Sequence, residues 1–464
     1  MPLFDIIGLG GEKFAVIIDI GSAYTKCGFA KESAPRHIIP STITHTVNGT
    51  TRTEHVISDD EKRNPDELYA ILRDFIHMIY FRYLLVNPRD RRVVICESVL
   101  CPTLFRETLA QVLFKHFEVQ SVLFAPCHLL SLFTLGVPTG LVVDCGYNES
   151  LILPVYEGIP ILKAVVGIPL AAKAIHKYLE QQLMDRSLVQ IEKGIKPLSS
   201  VIGALPDEIL EDIKVRTCFV APKFSGPKDE PRPASMVPQV DYPLDGGRIL
   251  RIEGQIREQT FDILFDGDEE EKSIATALLD SLLQCPIDTR KQLAENIVLI
   301  GGTVMTPGFK HRLMQEIYIL LQSPQYNNKL FIKTVKMHTT PVNANCAAWL
   351  GGAIFGSLEV LADRSVLKEQ YAHDKKIPDW SQCDITTETA PPAEEPQRPT
   401  LSRRQTSGIT STLSSLSSKL SSHILSSGSS RLGSPLGSSR LGSSPSGSSK
   451  SSIKESPAEE KKGE

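Results

Sequence analysis

The sequence lacks the features that would place it at a membrane, outside the cell or on nucleic acid. No apolar run in its 464 residues approaches the roughly 20 that a membrane-spanning helix needs. The opening residues, Met1 to Asp5, show no basic segment followed by an apolar one, so we expect no secretory signal. With 50 basic and 54 acidic residues the formal charge is -4, which predicts no broad surface for nucleic acid. We therefore expect a cytoplasmic protein, with the nucleus as the alternative.

None of the nine cysteines forms a C-x-x-C pair with another. Their irregular spacing predicts reduced thiols, mostly buried as small apolar groups. Zinc ligation is the alternative, but four ligands would have to converge from distant positions. The cysteines are Cys27, Cys96, Cys101, Cys127, Cys145, Cys218, Cys285, Cys346 and Cys383.

The length and the composition of the last 80 residues predict two lobes and a tail. A single core stops growing near 250–300 residues, so a chain this long should divide into at least two lobes. Residues 391–464 contain 24 serines among 74 positions and almost no aromatics, and such a segment cannot bury enough apolar surface to offset its ordering entropy. We predict a disordered, Ser-rich tail over residues 385–464. A proline-rich stretch between Val220 and Pro243 is predicted to be a long surface loop.

Two segments share one pattern, in which an apolar strand is followed by an aspartate, one residue and a glycine. In the first, Phe14–Ile18 leads into Asp19-Ile20-Gly21-Ser22 and then a second strand that carries Lys26. In the second, Thr139–Val143 leads into Asp144-Cys145-Gly146. The repetition predicts an internally duplicated α/β architecture.

A third strand also ends in a glycine turn. Asn296–Ile300 is followed by Gly301-Gly302-Thr303, and a helix is predicted over Lys310–Leu321. A strand, a double glycine and a helix N-terminus can form an anion-binding cradle. Near the end, Ala347–Gly356 is predicted to be a helix whose small residues allow close packing.

The residue types at these turns are those that bind phosphate and magnesium. Glycines let backbone N–H groups approach phosphate oxygens, and a hydroxyl such as Ser22 and a cation such as Lys26 add charge-assisted hydrogen bonds. Asp19 and Asp144, one at each strand end, can hold magnesium through its water shell, because this ion dehydrates reluctantly. The alternative is that Asp-x-Gly is an ordinary turn sequence.

In this order the three units resemble the actin family over nearly all of residues 12–380. The resemblance is carried by the turns already named and by several shorter matches. These are Gly28-Phe29-Ala30, Ala34-Pro35-Arg36, Pro40-Ser41, Pro154 to Gly158, Asp212-Ile213-Lys214, Asp288 to Lys291, Gly301 to Gly308, and Trp349 to Gly352.

The resemblance implies the fold and the ligand. The fold would be a duplicated, actin-like (ribonuclease H-like) α/β structure with a central nucleotide cleft, an outer lobe of residues 1–155 and 340–380, and an inner lobe of residues 156–339. The ligand would be ATP or ADP with magnesium, held as a structural, slowly exchanging cofactor, with no catalytic residue. The implied nucleotide-binding residues are Gly21, Ser22, Lys26, Asp144, Gly146, Lys214, Gly301, Gly302 and Thr303, with Asp19 and Asp144 at the metal.

Within the family, certain stretches are similar to the members that end a filament. They are residues 84–94 (LLVNPRDRRVV), 97–117, 284–299 and 345–356. The similarity implies a structural subunit that caps the pointed end of the actin-like filament of dynactin and supports dynein-based transport along microtubules. Its implied partners are the filament subunits and other pointed-end subunits of dynactin and, indirectly, dynein.

The sequence also departs from conventional actin in ways that bear on function. The segment Thr42 to Asn64 is about half as long as the corresponding segment of actin, which forms the pointed-end subdomain of that protein. In the cleft, Cys127 replaces the glutamine that orients the attacking water in actin, and Leu151 replaces a histidine. A thiol and an isobutyl group cannot position water as an amide and an imidazole do. We expect nucleotide binding without efficient hydrolysis.

Smaller departures lie beside the phosphates and the base. Tyr147 and Asn148 replace an aspartate and a glycine of the second turn, Val215 replaces a glutamate, and Asn345 replaces a lysine. The alternative function is an ATP-hydrolysing actin-like protein of a filament or of a nuclear remodelling complex. It would need a full pointed-end subdomain and a residue that positions water.

Overall fold

The computed structural model describes residues 13–47, 50–57, 63–192, 194–223, 235–267 and 272–378. The predicted disordered tail, residues 385–464, lies outside these ranges. Within them, no helix is both long and apolar enough to cross a membrane.

The first sheet is built around a buried hairpin whose strands are Val16–Ile20 and Tyr24–Phe29. Parallel strands extend it on one side, since Val16–Ile20 pairs with Val93–Glu97, which pairs with Ser121–Pro126. Apolar runs such as Val16-Ile17-Ile18 are fully buried because helices cover the parallel part of the sheet. The strand order is Val366–Leu367, Ser121–Pro126, Val93–Glu97, Val16–Ile20, Tyr24–Phe29, His37–Pro40.

The second sheet repeats this arrangement with the second hairpin. Gly140–Cys145 pairs antiparallel with Ser150–Tyr156 and parallel with Ile297–Ile300. The register places Asp144 opposite Leu151, as Asp19 stands opposite Lys26 in the first hairpin. The predicted duplication is therefore confirmed at the level of strand pairing. Ile159–Pro160 and Val166–Ile168 complete the sheet, both paired with Ser150–Tyr156.

A four-stranded sheet corrects one prediction. Its order is Gly194–Pro197, Leu188–Ile191, Arg248–Ile252, Val240–Leu244. The proline-rich stretch was predicted to be loop up to Pro243, but Pro243 lies within the strand Val240–Leu244. This strand is at the sheet edge, where a proline without an N–H is tolerated. Residues 224–234 of the predicted loop lie outside the described residues.

The segment predicted to be a reduced pointed-end subdomain, residues 42–64, contains a two-stranded hairpin, Thr42–Val47 with Thr50–His55. The helix Pro65–Met78 follows it. Asn64 caps this helix by accepting a hydrogen bond from the N–H of Asp66.

The described residues contain thirteen α-helices and several tighter or wider turns of helix. The α-helices are Pro65–Met78, Thr103–Gln111, Cys127–Phe133, Ala172–Arg186, Asp207–Thr217, Gly254–Gln259, Ile274–Gln284, Ile287–Ala294, Phe309–Gln322, Pro324–Asn327, Ala347–Phe355, Leu361–Arg364 and Lys368–Asp374. Ile79–Leu84 and Val112–His116 are π-helical continuations. The 3-10 turns are Pro88–Asp90, Leu162–Ala164, Leu198–Ser200, Asp245–Gly247, Asp262–Leu264, Thr303–Met305 and Ala344–Cys346.

The helix Cys127–Phe133 lies between the two sheets, and all seven of its residues are buried. Leu130 and Phe133 pack in an apolar cluster with residues of the first sheet. Leu129 and Leu132 pack in another cluster with residues of the second sheet. This helix therefore fixes the relation between the strands that carry Asp19 and Asp144.

The helix Ala347–Phe355 packs against it through glycines, as its composition predicted. A Cβ atom at Gly351 would lie 1.9 Å from the carbonyl oxygen of Leu130. Trp349 on the same helix is fully buried and donates its indole N–H to the carbonyl of Ile17 at 3.3 Å. The small residues thus allow this helix to contact a helix backbone and the first sheet together.

The division into lobes at residue 155 stays a prediction. The strand Gly140–Cys145 and all but the last residue of Ser150–Tyr156 precede this boundary, yet both strands are hydrogen-bonded into the second sheet with Ile297–Ile300. The return of the chain to the first sheet at Val366–Leu367 is in keeping with the predicted outer segment 340–380.

We predict that Gly351→Ala lowers the free energy of unfolding by about 1–3 kcal/mol, because the added methyl group would overlap a backbone oxygen that cannot move independently. Urea denaturation at equilibrium measures this. Gly203→Ala is the matched control, since a Cβ there meets open space, and its effect should stay within about 0.5 kcal/mol. Equal effects of the two substitutions would contradict the packing argument.

Candidate nucleotide cleft

The residues predicted to bind nucleotide and metal line a single cleft of about 1090 Å³. All ten lie on its wall: Asp19, Gly21, Ser22, Lys26, Asp144, Gly146, Lys214, Gly301, Gly302 and Thr303. The structure thus brings together side chains separated by up to 284 positions in the sequence, from Asp19 to Thr303. Their roles in binding stay predictions.

The first turn is held in shape by buried hydroxyls. Ser41 donates its hydroxyl hydrogen to the carbonyl of Gly21 at 2.6 Å and lies 2.8 Å from the hydroxyl of Thr25. A Cβ at Gly21 would lie 2.8 Å from the carbonyl oxygen of Tyr24, so the turn requires glycine. Ser41, which belongs to one of the short segments that resemble the actin family, therefore fixes the turn that precedes Lys26.

Lys26 and Asp19 form an ion pair across the first hairpin. The ammonium lies 3.1 Å from Asp19 Oδ2, and both side chains are largely buried. Burial opposes the charged form of Lys26, but Asp19 and the more distant Asp144 keep its pKa above the usual value. Lys26 is therefore a cation positioned at the ends of both aspartate-bearing strands.

The pKa of Asp144 is raised above its usual value. Burial, reinforced by the neighbouring charge of Asp19, raises its pKa to about 6, although Lys26 and a hydrogen bond from Cys127 act in the opposite direction. Two carboxylates that face one cavity repel each other when both are ionised. A cation bound between them offsets this repulsion, so the pair favours a bound cation. This is the electrostatic environment that a magnesium ion would need.

The third turn is anchored to the second. Thr303 donates its hydroxyl hydrogen to the carbonyl of Gly146 at 2.9 Å. Gly301 has φ of 96°, and a Cβ there would lie 2.3 Å from the carbonyl oxygen of Cys145. The 3-10 turn Thr303–Met305 follows directly, and the helix Phe309–Gln322 contains the predicted helix Lys310–Leu321 with one more residue at each end. The glycine turn and this 3-10 turn, rather than the α-helix, therefore face the cleft.

Lys214 is held at the other end of the cleft by two helices. Its ammonium lies 2.5 Å from Glu211 Oε2 and 3.1 Å from His176 Nε2. Although burial acts against ionisation, hydrogen bonds from His176 and Lys214 lower the pKa of Glu211 to about 2. Tyr147, which replaces an aspartate of the family, donates its hydroxyl hydrogen to Asp207 Oδ2 at 2.6 Å.

Sequence reasoning missed Glu211 and His176 as the partners of Lys214. Glu211 could have been found, because it lies one helical turn before Lys214. His176 lies on another helix, Ala172–Arg186, and nothing in the spacing indicates the contact. The cleft also extends along apolar side chains near the pointed-end hairpin, among them Val56, Leu68, Phe105 and Leu109.

Three polar groups in the cleft wall fit a bound nucleotide. Among the described residues, the backbone N–H of Ser22 in the first turn and that of Gly302 in the third turn donate no hydrogen bond. The side-chain oxygen of Asn345 is buried and has no donor within the same ranges. Two N–H groups suit phosphate oxygens, and the amide oxygen suits an N–H donor such as the amino group of adenine.

Comparison with known proteins agrees with this geometry. The family model described as Actin matches residues 10–376. The chain belongs to the actin family. It is 30% identical to "Actin-related protein 10" of Dictyostelium discoideum, over 89% of this chain and 99% of that protein. The resemblance to this family, drawn from the turns, is confirmed, and so is the actin-like α/β fold.

We predict that Asp144→Asn changes the pH dependence of stability in protein freed of nucleotide and metal. Because the pKa of Asp144 is about 6 when folded and near 4 when unfolded, the folded state binds more protons between these values. The wild type should therefore lose up to about 2–3 kcal/mol of stability relative to the variant as pH rises through this window.

Denaturant unfolding at pH 4, 5, 6 and 7 measures this difference. Asp363→Asn, at an exposed position, is the matched control and should follow the wild type. A constant offset between Asp144→Asn and the wild type over this range would contradict the assignment.

Proposed function

We propose that this protein is a structural actin-family subunit that caps the pointed end of the actin-like filament in dynactin and so supports dynein-based transport along microtubules. The observation that carries the proposal is the short segment between Ser41 and Pro65. Within its described residues it contains one two-stranded hairpin, Thr42–Val47 with Thr50–His55. The similarity to actin-related protein 10 over 89% of the chain supports the same assignment.

This short segment would leave too little surface for a further subunit to bind at the pointed end. An actin-like protomer uses its pointed-end subdomain to accept the next protomer, and a stable interface of this kind usually buries at least about 1,000 Å². A subunit that keeps the rest of the fold can dock onto a filament, but it offers the next subunit little surface on which to stack. Its exposed face would then be available to the other pointed-end subunits of dynactin.

The cleft of this subunit would hold ATP or ADP with magnesium. Ser22, Lys26 and the Gly301-Gly302 turn would bind phosphate oxygens, Asp19 and Asp144 would orient waters of the metal, and Lys214 would lie at the other end of the nucleotide. Bound magnesium would neutralise the phosphate charge and the two carboxylates together. The nucleotide would stabilise the closed arrangement of the two sheets, since a ligand that binds only the folded state adds to stability.

Hydrolysis would be slow, so that the role would be structural rather than enzymatic. Leu151 stands opposite Asp144 in the register of the second hairpin and is buried, so no polar side chain points from this position to a water. Cys127 offers only a weak hydrogen-bonding thiol beside Asp144, at 3.8 Å. Loss of one well-aimed polar group commonly lowers a rate about 10²–10³-fold.

The proposed location is cytoplasmic, with the cytoskeleton. We propose neither a nucleic-acid partner nor a membrane-spanning segment.

We predict that purified protein, mixed with short actin-like filaments, adds one extra density at the pointed end only, because the docking face is retained and the accepting face is reduced. Electron microscopy of polarity-marked filament ends measures this. Filaments without the protein, and filaments with added conventional actin, are the controls. Self-assembly of the protein into filaments, or binding along filament sides, would contradict the capping role and favour the alternative of a polymerising ATPase.

A further inference from the structure

Three potential metal ligands of different chemistry meet at the floor of the cleft. Cys127 Sγ lies 3.2 Å from His128 Nδ1 and 3.8 Å from Asp144 Oδ2. One ligand atom from each residue lies within 4.8 Å of the other two. Cys127 and His128 begin the helix between the two sheets, whereas Asp144 ends a strand of the second sheet.

His128 does not have the environment of an ordinary core histidine. The residue is fully buried, and its Nε2 atom has no hydrogen-bond partner among the described residues. Nδ1 is the ring nitrogen that faces the cluster, so a cation there would be bound through Nδ1 while Nε2 carries the ring N–H. Its one side-chain hydrogen-bonding contact in those ranges is with the Cys127 thiol.

We propose that Cys127, His128 and Asp144 form a binding site for a thiophilic divalent cation, and that zinc is the ion whose ligand preferences they meet. Zinc takes thiolate, imidazole and carboxylate ligands at about 2.3, 2.0 and 2.0–2.2 Å in a tetrahedron. Those bond lengths correspond to ligand-to-ligand separations of roughly 3.3–3.6 Å. The separations of 3.2 and 3.8 Å lie close to this range, and the third, between His128 and Asp144, is within 4.8 Å and would have to reach the same range when the ion binds.

The fourth position would be open to the cleft, because Cys127 and Asp144 both lie on its wall. A water or a phosphate oxygen could occupy it. Magnesium is not a candidate for this site, since it requires oxygen ligands in an octahedron and does not take a thiolate. When the zinc–sulfur bond forms, the thiol proton leaves to solvent and the imidazole binds through the lone pair of Nδ1.

The site is distinct in chemistry from the proposed magnesium–nucleotide site but shares Asp144 with it. Magnesium would be held through water, whereas zinc would bond to the carboxylate directly. The test therefore uses nucleotide-free protein, so that its outcome does not depend on whether the cleft binds ATP.

The experiment is a titration of the full-length protein, freed of metal and nucleotide and kept reduced with a phosphine, with cobalt(II) and then zinc(II). Cobalt bound to a thiolate gives an ultraviolet charge-transfer band, which reports the sulfur ligand directly. We expect one cobalt per chain with this band, and its loss when one equivalent of zinc displaces the cobalt.

Cys127→Ser should abolish the band, and Cys127→Ser and His128→Ala should each weaken zinc binding at least about 10–100-fold, since even loss of an outer-shell partner costs this much. Cys101→Ser is the matched control: Cys101 lines the same cleft but lies outside the cluster, and this variant should behave as the wild type. Absence of the thiolate band in the wild type, which does not depend on any variant folding, would overturn the proposal. Zinc binding to Cys127→Ser as tight as to the wild type would also overturn it.

Discussion

The structure depends on the burial of one short helix between two sheets. Cys127–Phe133 presents Leu130 and Phe133 to the first sheet and Leu129 and Leu132 to the second. Because every residue of this helix is buried, the aspartate-bearing strands on either side are fixed relative to each other. The close approach at Gly351 adds a second helix to the same contact, so apolar packing sets the relation of the two sheets. The hydroxyls of Ser41 and Thr303 then fix the turns of the cleft.

The two hairpins share the same strand pairing but carry different side chains opposite their aspartates. Asp19 stands opposite Lys26, with which it forms an ion pair, whereas Asp144 stands opposite Leu151 and its pKa is raised. The same strand-turn-strand unit therefore supplies a cation on one side of the cleft and an apolar side chain on the other. This asymmetry supports an account in which phosphate is bound but water is not positioned for attack.

Much of this could be predicted from the sequence, because the deciding signals are local. The strands around Asp19 and Asp144, the glycine turns and the glycine-rich helix near Trp349 each have a pattern within a few residues. Contacts between distant segments had no such signal. The hydrogen bond from His176 to Glu211, the partner of Lys214, and the approach of Cys127 to Asp144 arise from packing. The strand around Pro243 was predicted wrongly because the edge position that permits a proline depends on the whole sheet.

In the proposed function, the three turns clamp an adenine nucleotide that this chain does not efficiently cleave. The most direct measurement is chromatography of the nucleotide released by denaturing protein purified from its native source. We expect about one adenine nucleotide per chain, ATP or ADP, and from protein freshly loaded with ATP we expect mainly the triphosphate. Release of no adenine nucleotide would contradict the clamp, and release of only the diphosphate from protein freshly loaded with ATP would contradict slow hydrolysis.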